Sequence, residues 1–388
     1  MRVAYITAGA AGMYCGSCLH DNALAAAMIR AGHDVALIPV YTPIRTDEED
    51  VSVDRVFYGA INVFLEQKSA LFRHTPWLVD RMLNSRSVLD WATRHTTSVD
   101  AKELGQLTLS VLEGEDGRQK KELDKLVVWL RDEVQPDVVN LPNSMLLGLA
   151  HRLREELGVP VLCALQGEDI FLDELAPTFR ERVSRLLRAK ARDVDGFFAH
   201  SRYYVGAMAE MLDVARERFH LVRLGIHLDG HGVVGPADEG RPFTVGYLAR
   251  ICPEKGLHVL VEAFQKLAGR VGAANVRLRV AGYLGPRDRD YKRGILEQLA
   301  AWGLSESVDD LGEVDRERKL DFLRSIDVLS VPTTYREPKG LYVLEAMANH
   351  VPVVQPRHGA FPELLDATGG GLLVEPNDTD ALADALER

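Results

Sequence analysis

Residues 337–348 have the sequence EPKGLYVLEAMA, and the apolar runs on either side of them, VLSVP at 328–332 and VPVV at 351–354, predict two β-strands. Between the strands, apolar residues recur at three- and four-residue spacing, which predicts a helix. Gly340 lets the backbone approach a ligand closely at the point where this helix begins, and the first amide groups of a helix have no partner within it. The stretch therefore predicts a strand–loop–helix–strand unit with an anion site at the start of its helix.

Two carboxylates flank the predicted anion site. Glu337 precedes the helix, and Glu345 lies more than one turn inside it. The five residues from Gly340 to Glu345 span about 7–8 Å of helix, so one ligand could contact both acids and place its negative centre between them. A nucleotide sugar, with hydroxyl groups at both ends and phosphates in the middle, has this layout. The alternative is a loop acid and an unrelated acid on a surface helix.

The same stretch carries a resemblance. Two Glu separated by seven residues, followed by Ala-Met-Ala and the VPVV strand, resemble the donor-site signature of the family 4 retaining glycosyltransferases. The resemblance covers nearly the whole chain; it is clearest at 243–374 and poorest at 45–117. It implies the α/β fold class called GT-B, in which two Rossmann-like domains face each other across a cleft. The donor is then bound mainly by the second domain and the acceptor by the first.

A second basic loop supports this interpretation. Arg250 and Lys255 follow a predicted strand at 243–248 and precede Gly256 and a helix. Arg can bind phosphate oxygens bidentately, and Lys acts as a mobile point charge. Their order resembles the diphosphate-binding loop of the same family; a solvated surface turn is the alternative.

Glycine-rich and irregular stretches set the predicted domain limits. We expect an N-terminal acceptor-side domain at 1–228, a linker at 229–241 and a C-terminal donor domain at 242–388. A mostly helical insertion is expected at about 45–125. The last residues look like the inside of a helix, so we expect that the chain stops before the final crossing helix that relatives have.

The resemblance assigns roles to individual residues. The predicted catalytic residues, which act without a metal ion, are Glu337, Arg250 and Lys255. The predicted donor-binding residues are Glu345, Gly340, Leu341, Gly16, Gly312 and Val314. The acceptor-side candidates are chosen by position, as polar residues in the loop after a strand at 159–165, where ligands of open α/β sheets bind: Gln166, Glu168 and Asp169. Solvated loop acids are the alternative for Glu168 and Asp169. Gln166 stands where many relatives have a histidine, and glutamine cannot titrate.

These features predict a hexosyltransferase-type enzyme that requires no cofactor. It would move a sugar from a nucleoside diphosphate sugar to a hydroxyl group of a sugar, lipid or small molecule, with retention at the anomeric carbon. A sugar phosphorylase and a non-catalytic nucleotide-sugar-binding protein remain alternatives on the same fold. A thiol redox protein that uses Cys15 and Cys18, just before a predicted helix, is a more distant alternative.

Composition limits the partners. The chain has 388 residues and a formal net charge of −11, which argues against nucleic acid as a partner. No apolar run is long enough to cross a bilayer, and the N-terminus lacks the apolar core of a signal peptide, so we expect a cytoplasmic protein. Aromatic and basic residues alternate at 57–95. They favour an insertion packed on the first domain, with an acceptor-recognition cap or peripheral membrane contact as alternatives.

Overall fold

The computed structural model describes residues 1–9, 13–68, 101–232 and 240–388. The chain divides into two compact units: a first unit, Met1–Arg223, and a second unit, Leu224–Arg388. The predicted limits of the domains and of the linker at 229–241 stay predictions, and residues 233–239 of that linker lie outside the described residues.

A parallel β-sheet forms the centre of the first unit. Its strands are β1 (Arg2–Ala8), β2 (Asp34–Val40), β3 (Val138–Leu141), β4 (Val161–Ala164), β5 (Gly196–Ala199) and β6 (Phe219–Leu221). They are arranged in the order β2-β1-β3-β4-β5-β6, and every neighbouring pair is parallel. The strands are apolar along most of their length because helices cover both faces of such a sheet. The direction of winding changes between β1 and β3, so the switch point of the sheet lies at their carboxyl ends.

Helices surround this sheet. They are α1 (Gly16–Arg30), α2 (Ala60–Lys68), α3 (Ala101–Glu113), α4 (Lys120–Trp129), α5 (Ala150–Leu157), α6 (Glu168–Glu174), α7 (Pro177–Lys190) and α8 (Arg202–Leu212). The α2 and α3 helices belong to the predicted insertion, of which residues 69–100 lie outside the described part of the chain. The peripheral membrane contact predicted for 57–95 therefore falls mostly on residues that the structure does not describe.

The second unit repeats the same architecture. Its strands are β7 (Phe243–Leu248), β8 (Val276–Ala281), β9 (Val308–Gly312), β10 (Val328–Leu329), β11 (Val353–Pro356) and β12 (Gly371–Val374). They form a parallel sheet in the order β12-β11-β10-β7-β8-β9. The winding changes direction between β7 and β10. The helices are α9 (Leu257–Val271), α10 (Arg289–Ala301), α11 (Arg316–Arg324), α12 (Leu341–Ala348), α13 (Phe361–Thr368) and α14 (Thr379–Glu387).

Each unit has its own hydrophobic core. Phe197 and Tyr204 are fully buried in the first, and Tyr247, Phe264 and Phe322 are fully buried in the second. The predicted fold class, two Rossmann-like α/β domains, is confirmed at the level of these two units. Among the described residues, the helices are too short or too polar for any of them to span a bilayer.

The segment after β3 departs from regular helix geometry. Residues Ser144–Leu149 form a 3₁₀ helix, and α-helical geometry begins only at Ala150. The side chain of Asn143 caps this segment by accepting a hydrogen bond from Met145 N at 3.0 Å. Gly148 packs so closely against α3 that an added Cβ would lie 2.3 Å from the carbonyl oxygen of Val111. Tertiary packing against α3 therefore holds residues 144–149 in the 3₁₀ conformation, although their sequence alone is compatible with an α-helix.

Candidate functional site

The loops after β7 and β10 lie next to each other because their strands are neighbours in the sheet. Val328 pairs with Val245, and the backbone N–H of Thr334 donates to the carbonyl of Glu254 at 2.9 Å. Gly256 has a φ of +70°, and a Cβ on it would lie 1.9 Å from the carbonyl oxygen of Pro332. Ligands of open α/β sheets bind at such a switch point, beyond the carboxyl ends of the strands. The two loops that the sequence analysis linked to one ligand are thus adjacent.

A buried ion pair joins the two loops. Lys255 Nζ lies 2.6 Å from Glu337 Oε2, and Glu337 is only 4% exposed. The backbone of Glu337 is held as well, since its carbonyl accepts from Ala360 N at 2.8 Å. Gly359 allows this approach, because a Cβ there would lie 2.3 Å from the same carbonyl oxygen. Two of the three predicted catalytic residues are therefore in direct contact.

Two tyrosines complete the surroundings of this pair. Tyr335 OH lies 2.6 Å from both Lys255 Nζ and Glu337 Oε2, and Tyr342 OH lies 3.3 Å from the same carboxylate oxygen. Burial, and then the charge of Glu337, raise the pKa of both phenols well above their ordinary value. Neither tyrosine was predicted to have a role, although Tyr342 lies one residue inside the predicted helix.

Glu337 is ionised despite its burial. Burial works to raise the pKa of Glu337, but the charge and hydrogen bond of Lys255, the hydroxyl of Tyr335 and the charge of Lys339 outweigh it, so its pKa falls to about 2. At neutral pH the carboxylate can accept hydrogen bonds from a ligand but has no proton to give.

Helix α12 begins directly beside this carboxylate. Gly340 precedes the helix with a φ of +77°, and no side chain caps the first turn, which begins at Leu341. The first turn contains no acidic residue. Helix amides that no side chain caps, next to Lys255, favour a negatively charged group at this point.

Arg250 lies in the same loop as Lys255 but is differently placed. Its backbone carbonyl accepts from Tyr247 OH at 3.1 Å, while its side chain is exposed. No ion pair with a carboxylate of the described residues engages its guanidinium. An arginine without a carboxylate partner can bind phosphate without first breaking an ion pair.

Glu345 has a partner that the sequence analysis missed. Lys319, on α11, places its Nζ 2.6 Å from Glu345 Oε1, and both residues are 8% exposed. The backbone carbonyl of Glu345 accepts from Asn349 Nδ2 at 2.8 Å, and the same nitrogen lies 2.7 Å from His231 Nδ1. The second predicted carboxylate is thus held on the inner side of α12 by an ion pair.

The remaining donor-side candidates lie at the end of β9 and after it. Gly312 has a φ of +63°, and space is open where a Cβ would stand. Val314 is 9% exposed and packs in the core of the second unit. Only the backbone of Val314 is therefore suited to contact a ligand.

Gly16, in the first unit, is the first residue of α1, and a Cβ on it would meet nothing within 4 Å.

Gln166, just beyond β4, is engaged by its neighbours: its Nε2 donates to Asp21 Oδ1 at 2.9 Å and to the carbonyl of Pro142 at 3.1 Å. Asp21 is 1% exposed and also accepts from Tyr5 OH at 3.1 Å. Asp21 was not predicted from the sequence because an acid in an alanine-rich helix normally faces solvent.

Backbone N–H groups surround the carboxylate of Glu168. Its carboxylate accepts from the backbone N–H groups of Ser144, Gln166 and Gly167 at 2.8, 2.7 and 2.9 Å. Asp169 accepts from Tyr204 OH at 2.8 Å, and burial raises its pKa. The two acids begin helix α6 rather than lying in a loop as expected. This geometry favours a positioning role for Glu168, while the acceptor role of Asp169 stays a prediction.

Two histidines pack together near Asp21. The rings of His20 and His200 have centroids 4.4 Å apart, and His20 Nδ1 lies 3.3 Å from Asp21 Oδ1. His200 lies just after β5, and its Nδ1 lies 2.9 Å from the carbonyl oxygen of Val222. The two imidazole rings and the carboxylate of Asp21 therefore lie together at the carboxyl edge of the first sheet.

The cysteines invoked for redox chemistry are both free thiols. Cys15 is half-buried before α1, whereas Cys18 is buried and donates to the carbonyl of Ala8 at 3.0 Å. The thiol of Cys18 therefore has a structural hydrogen bond within the first unit.

Comparison with known proteins decides the family. The model of the glycosyl transferase 4-like domain matches residues 22–225, more than half of the chain. The chain belongs to the glycosyl transferase 4-like family. The model of the glycosyl transferases group 1 matches residues 236–388. The predicted family is thereby confirmed.

Individual relatives agree with this assignment. WcaL of Escherichia coli is 30% identical over 245 residues, which are 61% of this chain and 57% of that protein. The D-inositol 3-phosphate glycosyltransferase of Nocardia farcinica is 30% identical over 224 residues, 55% of this chain and 48% of that enzyme. The chain spans about half the length of the curated relatives that it matches.

Solved structures support the fold. Anabaena Alr3699/HepE in complex with UDP matches with a TM-score of 0.68 and 18% identity, over 100% of this chain and 89% of that one. Sucrose-phosphate synthase from Thermosynechococcus elongatus matches with a TM-score of 0.70 and 19% identity, over 100% and 88%. At these identities the likeness shows a shared fold, and it confirms the predicted GT-B class of two Rossmann-like domains.

Proposed function

We propose that this member of the family is a retaining hexosyltransferase that uses a nucleoside diphosphate sugar as donor. The observation that carries the proposal is the convergence of Lys255, Glu337 and the uncapped start of α12 at the switch point of the second sheet. The two matched family models, and the UDP bound by the similar Anabaena protein, support it.

The diphosphate would bind on the positive side of this site. Arg250 and Lys255 would contact phosphate oxygens, and the first amides of α12, at Leu341, would face them. The donor loses a negatively charged diphosphate as the bond to the sugar breaks. Groups that are already positive and held in place stabilise that charge in the transition state without further reorganisation.

The carboxylates would hold the two ends of the donor. Glu337, ionised at neutral pH, would accept hydrogen bonds from sugar hydroxyls, and Lys255, still paired with Glu337, would direct another of its N–H groups to a phosphate oxygen. Glu345 would accept from the ribose hydroxyls, with Lys319 fixing its orientation. The backbone near Gly312 and Val314 would contact the base. The donor-binding role of Gly16, which belongs to the first unit, stays a prediction.

The transfer step needs no covalent nucleophile. The bond from the anomeric carbon to the phosphate oxygen breaks, and its electron pair leaves with the diphosphate. The acceptor oxygen bonds to the anomeric carbon from the same face, and its proton passes to the leaving phosphate oxygen. The outcome is retention, with a nucleoside diphosphate and the glycosylated acceptor as products. This step requires no cofactor. The cytoplasmic location of the protein stays a prediction.

Product analysis tests the proposal. With EDTA and a set of hydroxyl acceptors present, the purified chain should release one nucleoside diphosphate from a panel of UDP-, GDP- and ADP-sugars, and the Lys255→Met variant should lower that rate by at least about a hundredfold. The matched control is Lys266→Met, a change on the surface of α9. Release of diphosphate from no donor in the panel, or equal rates for the wild type and the Lys255→Met variant, would refute the proposal.

A further inference from the structure

A pocket of about 580 Å³ opens at the carboxyl edge of the first sheet. Tyr41 follows β2, Asn143 follows β3 and Gln166 follows β4, and all three residues line it. Its volume falls in the range of small-molecule sites, and its position follows the rule for ligand sites in open α/β sheets. Every described residue that lines this pocket belongs to the first unit.

The walls of the pocket are apolar. Val63 and Phe64 come from α2, Leu107 and Val111 from α3, and Phe171 from α6. Phe64 lines this apolar side and is 44% exposed. Helices α2 and α3 therefore form an apolar side of the pocket. The residues that follow β2, β3 and β4 form its polar side.

The charge of the lining selects against anions. Among the described residues that line the pocket there is no Lys, Arg or His. The carboxylate in the lining, that of Glu168, is held by three backbone N–H groups and stays inside the protein framework. Among these described lining residues a phosphorylated ligand would meet no cation to offset the loss of its hydration shell. Burial of a hydrocarbon or aromatic group, by contrast, is favourable because it removes apolar surface from water.

We propose that this pocket binds the apolar part of an uncharged acceptor and places the acceptor hydroxyl at its polar end, near Gln166 and Asn143. The substrate class is then a neutral alcohol or glycoside that carries an alkyl or aryl group, and phosphorylated sugars are excluded. The role of the bound molecule as an acceptor rests on the proposed transferase function. The binding preference of the pocket can be measured without turnover.

Calorimetry on the full chain tests the preference directly. Octyl β-glucoside, phenyl β-glucoside, glucose and glucose 1-phosphate serve as probes. We expect at least one of the first two to bind at least tenfold more tightly than glucose and glucose 1-phosphate, a difference of about 1.4 kcal/mol. Tighter binding of octyl β-glucoside indicates a lipid-like acceptor, and tighter binding of phenyl β-glucoside indicates an aromatic one. Equal binding of all four, or preference for the phosphate, overturns the proposal.

A pair of matched variants locates the binding. Phe64→Gln, in the pocket, should weaken binding of the preferred glycoside at least tenfold. Leu296→Gln, on α10 of the second unit and also 44% exposed, should leave it unchanged. Circular dichroism confirms that both variants fold. If Phe64→Gln binds as tightly as the wild type, a second pocket variant, Leu107→Gln, decides, and normal binding by both variants overturns the proposal.

Turnover separates this inference from the proposed function. If the protein binds the apolar glycoside but releases no nucleoside diphosphate from any donor, the transferase proposal fails while the pocket assignment stands. If it transfers sugar but prefers glucose or glucose 1-phosphate as acceptor, the pocket assignment fails while the transferase proposal stands.

Discussion

Lys319 and Glu345 form an ion pair inside the second unit, with Lys319 Nζ 2.6 Å from Glu345 Oε1 and both residues 8% exposed. Two charges in such surroundings have lost most of their hydration, and each depends on the other for compensation. The pair fixes the orientation of the carboxylate that we assign to the ribose hydroxyls. It also means that a substitution of Glu345 affects stability as well as binding.

Removing one member of this pair should destabilise the protein strongly. Glu345→Ala leaves Lys319 buried without its carboxylate, and the free energy of unfolding should fall by about 3–5 kcal/mol. Lys319→Met with Glu345→Leu removes both charges and should recover most of that loss. Urea unfolding of the three proteins measures the effect. A single variant within 1 kcal/mol of the wild type would show that the pair is not buried in solution.

The ionisation of Glu337 should make stability depend on acid pH. Its pKa in the folded chain is about 2, against an ordinary value of 4.5, so the unfolded chain binds more protons between these values. The contribution of Glu337 is therefore fully present above pH 4.5 and is lost as pH falls towards 2; the difference in pKa corresponds to about 3 kcal/mol.

Comparison with the Glu337→Gln variant isolates this contribution. The difference in unfolding free energy between wild type and variant should be largest at pH 5 to 7 and should shrink steadily below pH 4.5. Glu297→Gln, an exposed substitution on α10, should change stability by less than about 0.5 kcal/mol. A difference that stays constant down to pH 3 would contradict the strong pairing with Lys255.

Glu66 should give the opposite dependence. Burial, and then the charge of Glu122, raise the pKa of Glu66 to about 7, although Lys121 works against them. The folded chain thus binds more protons than the unfolded chain between pH 4.5 and 7, and stability falls as pH rises through this window. Glu66→Gln should therefore be more stable than the wild type at pH 8 and similar to it at pH 4. Thermal unfolding at both values checks this, and a variant less stable at pH 8 would contradict it.

Gly256 should tolerate no side chain. Its φ of +70° is unfavourable for other residues, and a Cβ would lie 1.9 Å from the carbonyl oxygen of Pro332 in the neighbouring loop. Gly256→Ala should lower the free energy of unfolding by about 3 kcal/mol or more. Gly269→Ala, in α9, has open space and should stabilise the protein by up to about 1 kcal/mol. Denaturant unfolding of both variants measures the contrast; a mild effect at Gly256 would show that the two loops can separate.

Much of the site could be predicted because it depends on local sequence. Strand and helix periodicity located β7, β10 and α12, and adjacent parallel strands bring the loops after them together. The contact between Lys255 and Glu337 follows from that adjacency. Gly340, with a positive φ at the start of α12, was predictable from its residue type alone.

The missing partners depend on tertiary packing. Lys319 lies on α11, and lysine is normally a surface residue, so nothing local indicates that it is buried against Glu345. Tyr335 and Tyr342 gain their roles only because Glu337 lies between them. The backbone contacts of Glu168 likewise arise from the way the segment after β3 packs beside β4. The apolar pocket is built from α2, α3 and the strand ends, which lie far apart in the sequence.

Nucleotide binding by Arg250 tests the central claim most directly, because this exposed side chain can be removed without leaving a buried charge. Isothermal titration of UDP, GDP and ADP should show that one of them binds the wild type and that Arg250→Ala weakens its binding at least tenfold. Arg293→Ala, an exposed change on α10, should have no effect. The claim would be contradicted if none of the three binds, or if Arg250→Ala binds the nucleotide as tightly as the wild type.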